Sequence, residues 1–167
     1  YQDVLTFLNN LTPKHSFFYR EFSPEGHPLN GCPARKYFTA ENASKIDAIR
    51  EKINEWIERC YITQIEESLL KHTLIMAVNE VANISGTYGY FLSDFKKNAN
   101  STLTLTPVEI YGENANGHTV RLGFAENLAG FIAADLCYID PPYMKRQYAA
   151  NYHILETLAR GDFPEAI

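Results

Sequence analysis

Leu136-Cys137-Tyr138-Ile139-Asp140-Pro141-Pro142-Tyr143 is the stretch on which the reading of this 167-residue chain turns. Residues 135–139 are a short, largely apolar run of the length and composition of a buried strand. The run passes straight into an acidic residue and two prolines. In an open α/β sheet, ligands sit just beyond the carboxyl ends of the strands. Consecutive prolines restrict the backbone and carry no N–H, so their carbonyls are free to accept from a ligand. A carboxylate, free carbonyls and an aromatic face therefore fall within four residues, Asp140 to Tyr143. A plain Asp-Pro turn with a packed tyrosine is the competing reading, because both residues are common in turns. Placement directly after an apolar strand favours a site.

Working outward, Thr102 to Leu105 alternates like a strand, residues 108–111 and 118–122 are further strand candidates, and residues 125–130 suit a short helix. A last helix is expected over 149–160. The N-terminal part differs. A short helix is expected near 2–10, followed by a loop rich in turn formers and aromatics up to residue 36. Thr39 suits the N-cap of a helix over 41–60, whose Ile46, Ile49, Ile53, Trp56 and Ile57 share one face. A second long helix is expected over 62–83, with Leu69, Leu70, Leu74, Val78 and Val81 as its buried stripe. Gly86 and Gly89 break that pattern, and Tyr88 to Leu92 reads as a packed turn or a short third helix. The order predicts an α/β chain: a mostly helical region over 1–100, then alternating strands and helices over 101–167.

Bulk properties narrow the class. The hydrophobic fraction is 46% and the charged fraction 21%, as in ordinary globular domains. No apolar run is long enough to cross a bilayer, and no signal peptide opens the chain, so a cytoplasmic protein without membrane contact is expected. Cys32, Cys60 and Cys137 have neither zinc-site nor redox-motif spacing, and the five histidines are scattered, so no metal is expected. The net charge of −5 runs against phosphate binding by the chain as a whole, although only local charge matters at a binding face. The chain opens on Tyr1 and reads as a piece of a longer protein.

Asp140-Pro141-Pro142-Tyr143 resembles the catalytic motif of amino-methyltransferases that act on adenine in DNA. The stretch from Arg35-Lys36-Tyr37-Phe38 to Ala48-Ile49-Arg50 is similar to one in bacterial adenine methylases of restriction–modification systems. So are Arg146-Gln147-Tyr148, Asn151-Tyr152-His153 and Leu155-Glu156-Thr157-Leu158-Ala159-Arg160. This resemblance implies a doubly wound, Rossmann-like sheet binding S-adenosyl-L-methionine, with a largely helical insertion for DNA recognition. It places residues 1–100 in the insertion and 101–167 in the catalytic domain. The implied reaction is site-specific methylation of the N6 amino group of a flipped-out adenine in double-stranded DNA, alongside a cognate restriction endonuclease. Two departures stand out. The family's Phe-x-Gly-x-Gly cofactor loop is absent from these residues, and Phe124-Ala125 stands where an Asp and a small residue usually contact the cofactor.

The chemistry suits the motif. The lone pair of an exocyclic adenine amine is delocalised into the ring, so the nitrogen is a poor nucleophile. A carboxylate from Asp140 and the carbonyl of Pro141 can accept its two N–H groups and stabilise the positive charge that develops on it. Pro142 shapes the loop, and Tyr143 can stack on the extruded base. Lys145, Arg146 and Tyr148 are expected to contact nucleic acid, by charge and by stacking. Methylation of RNA or of a protein amide nitrogen, and a truncated, inactive nucleic-acid-binding remnant, are the alternatives. Because stacking needs the ring and not the hydroxyl, Tyr143→Phe should retain methyl transfer, whereas Tyr143→Ala should lose about 1–3 kcal/mol of stabilisation. Incorporation of labelled methyl groups into DNA measures both, and equal damage in the two variants would transfer the role from the ring to the hydroxyl.

Overall fold

The computed structural model describes residues 1–110, 112, 117–140 and 148–164. Among these residues six α-helices follow one another: α1 (Gln2–Asn9), α2 (Phe17–Phe22), α3 (Ala40–Glu58), α4 (Gln64–Val81), α5 (Ala125–Ala129) and α6 (Tyr148–Arg160), with a 3₁₀ turn at Lys97–Asn100. The chain divides into two compact units, Tyr1–Val108 with Gln147–Ile167, and Glu109–Arg146.

The first unit is helix packed on helix. Thr39 caps α3 as its sequence predicts, its Oγ1 accepting from the Asn42 N–H at 3.2 Å. α4 begins with a capping box, in which the Thr63 hydroxyl accepts from the Glu66 N–H and the Glu66 carboxylate accepts from the Thr63 N–H. α3 packs on α1, α2 and α4, and α6 packs on α4. Ile46, Ile49 and Ile53 of α3 meet Leu70, Leu74, Val78 and Val81 of α4, with Leu5, Leu8, Ile154 and Leu158 completing one apolar core. Part of the expected loop is instead a helix: Phe17, Phe18 and Phe22 of α2 are all buried and lie edge-on or tilted to one another.

That helix is too short to be stable on propensity alone. Its exposed N-terminal N–H groups find an acceptor on α3, where the buried Asp47 carboxylate accepts from Ser16, Phe18 and Tyr19 at 2.8–3.1 Å. A negative charge at a helix N-terminus also suits the helix dipole. Arg50, one turn further along α3, is buried among the rings of Phe17, Phe18 and Phe163, the last only 4.2 Å from its guanidinium carbon. It donates to the Asp162 carbonyl beyond α6. Among the described residues its Nε and Nη1 have no partner.

The predicted doubly wound, Rossmann-like α/β sheet is not what the chain forms. Among the described residues there is no strand, only an isolated antiparallel bridge between Ile84 and Phe91. The reason is where the backbone hydrogen bonds go. Thr102 to Leu105 is extended and buries Leu103 and Leu105, as its alternation predicts, but side-chain amides take its backbone groups. Asn42 Oδ1 accepts from the Leu103 N–H at 2.8 Å, and its Nδ2 donates to the Ser101 carbonyl at 2.9 Å. Asn9 bonds both the N–H and the carbonyl of Leu105. Among the described residues, 118–122 and 135–139 have no ladder partner. Leu136, Tyr138 and Ile139, expected inside a buried strand, are exposed, as are Val120 and Leu122. An apolar run of strand length is a strand only when a neighbour accepts its hydrogen bonds.

In the 82–96 segment the expected turn is present, without a third helix. Asn83, fully buried, organises it. Its Nδ2 donates to the carbonyls of Lys36 and Leu92, and its Oδ1 accepts from the Lys96 N–H. The second unit holds α5, with Phe124 as its N-cap residue, and a groove lined by Thr119, Arg121, Leu128, Phe131, Ile132 and Ala133.

Burial pushes the Asp47 carboxyl up to about 6, against the pull of its three N–H donors and of Arg50. A folded state that holds this proton more tightly than the unfolded chain is favoured in acid. Asp47 should therefore contribute stability that is fully present below about pH 4 and lost as pH rises through 6, by up to about 3 kcal/mol. Glu51, Glu55 and Glu66, all held below the usual carboxylate range, slope the other way. Urea unfolding from pH 4 to 7 on the wild type and on Asp47→Asn isolates the effect. The difference in stability between the two should shift in the wild type's disfavour across this window, and a constant difference would refute it.

Candidate functional site

α6 begins at Tyr148, eight residues after Asp140 in sequence, and the rest of the first unit holds it at several points. The Tyr88 N–H donates to the Asn151 carbonyl at 2.9 Å. The Asn151 side chain lies against Gly89, where an added Cβ would come within 2.8 Å of Asn151 Oδ1, so only glycine allows this approach without displacing the amide. Ile154 and Leu158 anchor the buried face of the helix. Its other end is tied down as well, since Asn54 Nδ2 donates to the Gly161 carbonyl at 2.8 Å.

His153 sits beside this anchor. Its ring lies 6.1 Å from those of Phe22 and Tyr37, and Nδ1 is 3.1 Å from the Ala150 carbonyl. Burial holds its pKa below the ordinary histidine value, helped by the positive charge of Arg35 and opposed by the bond to Ala150. The Tyr37 hydroxyl in turn donates to the Tyr88 carbonyl at 2.8 Å. On the outer face, Tyr148 and Tyr152 stack on each other, one helical turn apart. They line a groove of about 600 Å³ together with His153, Glu156, Arg160 and Pro164.

Asp140 is exposed at the end of the 136–140 segment, which has no regular secondary structure, in the second unit. Phe124 and Ala125 are exposed at the start of α5 in the same unit. They present a ring and a methyl group and no side-chain acceptor, so on their own they do not make a site for a polar cofactor. Pro141, Pro142, Tyr143, Lys145 and Arg146 lie outside the described residues. Of the candidate residues, Tyr148 alone is placed in the first unit, where it pairs with Tyr152. Among the described residues no cluster of three or more His, Cys, Asp or Glu forms, and no helix is long and apolar enough to cross a membrane.

Sequence reasoning missed Asp47, Gly89 and the buried asparagines as structural ties. Asp47 had a visible signal: it is an ionisable residue between Ile46 and Ala48 on a helix whose neighbouring positions are apolar. Gly89 carried none, because the close approach depends on a partner from α6.

Residues 2–167 match the family described as D12 class N6 adenine-specific DNA methyltransferase. The chain is 42% identical over 151 residues to the type II methyltransferase M.FokI of Planomicrobium okeanokoites, covering 90% of this chain and 23% of that protein. It is 37% identical over 160 residues to the type II methyltransferase M.NlaIII of Neisseria lactamica, covering 96% of this chain and 46% of that one. The modification methylase StsI of Streptococcus sanguinis is 34% identical over 163 residues, covering 96% of this chain and 24% of its own length. The chain thus spans less than half the length of each of these relatives. No solved structure matches it.

The burial of His153 has a direct readout. In a proton NMR titration its ring should change protonation below the ordinary midpoint of about 6.5, and Arg35→Gln should raise that midpoint. A midpoint at or above the ordinary value in the wild type would show that the ring is not packed between Phe22 and Tyr37.

Proposed function

We propose, from the premise that this chain belongs to the D12 class N6 adenine-specific DNA methyltransferase family, that its protein transfers a methyl group from S-adenosyl-L-methionine to the N6 nitrogen of an adenine extruded from double-stranded DNA. The observation that carries this reading is Asp140-Pro141-Pro142-Tyr143, within residues matched by the family throughout. The relatives' names, type II methyltransferase and modification methylase, support the same class, and a cognate restriction endonuclease is proposed as the partner activity.

In this reading the Asp140 carboxylate and the Pro141 carbonyl accept the two N–H groups of the target amine. They draw its lone pair out of conjugation and stabilise the positive charge that appears on nitrogen as the new N–C bond forms. Pro142 limits the conformations open to the loop, and Tyr143 covers one face of the extruded base. The cofactor supplies the electrophilic methyl group. No contact to it is assigned to Phe124 or Ala125, whose side chains offer no acceptor. Lys145 and Arg146 supply positive charge next to the motif in sequence, as contact with phosphate requires. Residues 1–100 are proposed as the recognition region, a helical body on which α6 is seated.

Asp140→Ala in the whole protein should lower methyl incorporation into DNA about 100- to 1,000-fold, the usual effect of deleting one stabiliser of transition-state charge. Circular dichroism should be unchanged, because Asp140 is exposed and buries nothing. Activity near that of the wild type would refute the assignment.

A further inference from the structure

Tyr148 and Tyr152 form a pair that the catalytic reading does not use as a unit. Their ring centroids are 5.7 Å apart and their planes 20° from parallel. Both are exposed, at 53% and 41%. Among the described residues that line the groove, Arg160 is the one permanently charged cation, and it is paired. The Arg160 Nε is 2.6 Å from Glu156 Oε1, and Asp162 adds a second carboxylate. His153, with its lowered pKa, is neutral near pH 7.

Phosphate contacts need unpaired cations, and their strength falls steeply with salt. Aromatic faces without such cations suit an uncharged π-surface. Bases stack on aromatic side chains with little regard to sequence, since every base has a π-face. Extruding one nucleotide from a duplex uncovers the faces of the bases that flanked it. Tyr148 follows Asp140 by eight residues, which bounds their separation to about 28 Å of extended chain.

The geometry points to a second nucleobase site: the Tyr148–Tyr152 pair is a stacking platform for an unstacked base of the DNA, separate from the residues that hold the target adenine. This rests on the reading that the protein acts on DNA, and it adds that the α6 groove binds base planes and not the backbone. Tyr152 is the informative position, because Tyr148 also adjoins the catalytic loop.

The test uses the whole protein and two labelled strands of equal length and charge, an oligothymidine and its abasic counterpart, followed by fluorescence anisotropy. Tyr152→Ala should weaken binding to the oligothymidine about 5- to 150-fold while changing the abasic strand by less than about 2-fold. The salt dependence should stay as in the wild type. Tyr152→Phe should bind like the wild type, and Tyr152→Leu, which keeps apolar bulk without a ring, should lose affinity as Ala does. Equal losses on both strands, an undamaged Leu variant, or a wild type that does not prefer the base-bearing strand would overturn the platform. Methyl transfer by the wild type to duplex DNA is measured alongside. Its absence would sink the functional reading, while the anisotropy comparison would still judge the platform.

Discussion

A buried stretch of extended backbone must place every N–H and carbonyl somewhere, and in the helical unit asparagine side chains take many of them. Leaving such groups unpaired away from water costs about 1–3 kcal/mol each, so these amides decide whether the chain can lie across the helices at all. Asn42 fastens the chain from Ala99 to Leu103 onto α3, and Asn9 fastens Leu105 onto α1. Asn83 gathers Lys36, Leu92 and Lys96 around one buried side chain. An amide both donates and accepts, which lets it imitate the edge of a strand. The apolar residues between these ties, Leu103 and Leu105, then reach the core without a sheet.

The same economy explains α2 and the seat of α6. Six residues of aromatic-rich sequence become a helix because a carboxylate on α3 meets their free N–H groups. Arg50, on the same helix face, closes over the aromatic rings and reaches the chain beyond α6. Burial pulls its pKa down to about 10, which still leaves it charged at neutral pH. α3 is therefore more than a core helix. Its polar positions link α2, the N-terminal loop and the end of α6, and its apolar positions face α4.

The long helices were the legible part. Thr39 and the spacing of Ile46, Ile49 and Ile53 mark α3, and the stripe of Leu69, Leu70, Leu74, Val78 and Val81 marks α4, within two residues at each end, with Leu69 only half-buried. These signals are local, since caps and helical periodicity need no knowledge of a distant partner. Where the reading failed, the missing information was non-local. Alternation in 102–105 correctly marks which side chains are buried, but it is silent on whether a strand or an asparagine answers the backbone. The 135–139 run has strand composition, and its apolar side chains are exposed all the same. At the candidate site, the chemical role expected of Asp140 and its neighbours rests on the sequence alone. The Tyr148–Tyr152 pair became legible as a unit only when both were set on one helix face, one turn apart.

The helical unit is discontinuous in sequence, and that has a consequence for its biosynthesis. α4 is complete by Val81, but the side chains that cover it from α6, Ile154 and Leu158, are translated only after the whole 109–146 unit. At typical elongation rates of about 5–20 residues per second, several seconds pass on the ribosome in which α3 already packs on α4 but the side of α4 that α6 covers stays open. The nascent chain is thus most exposed to wrong association, or to capture by a chaperone, between the emergence of α4 and that of α6. Slowing translation within residues 109–146 lengthens that interval, and fusing an early copy of the α6 sequence behind Val108 would close it.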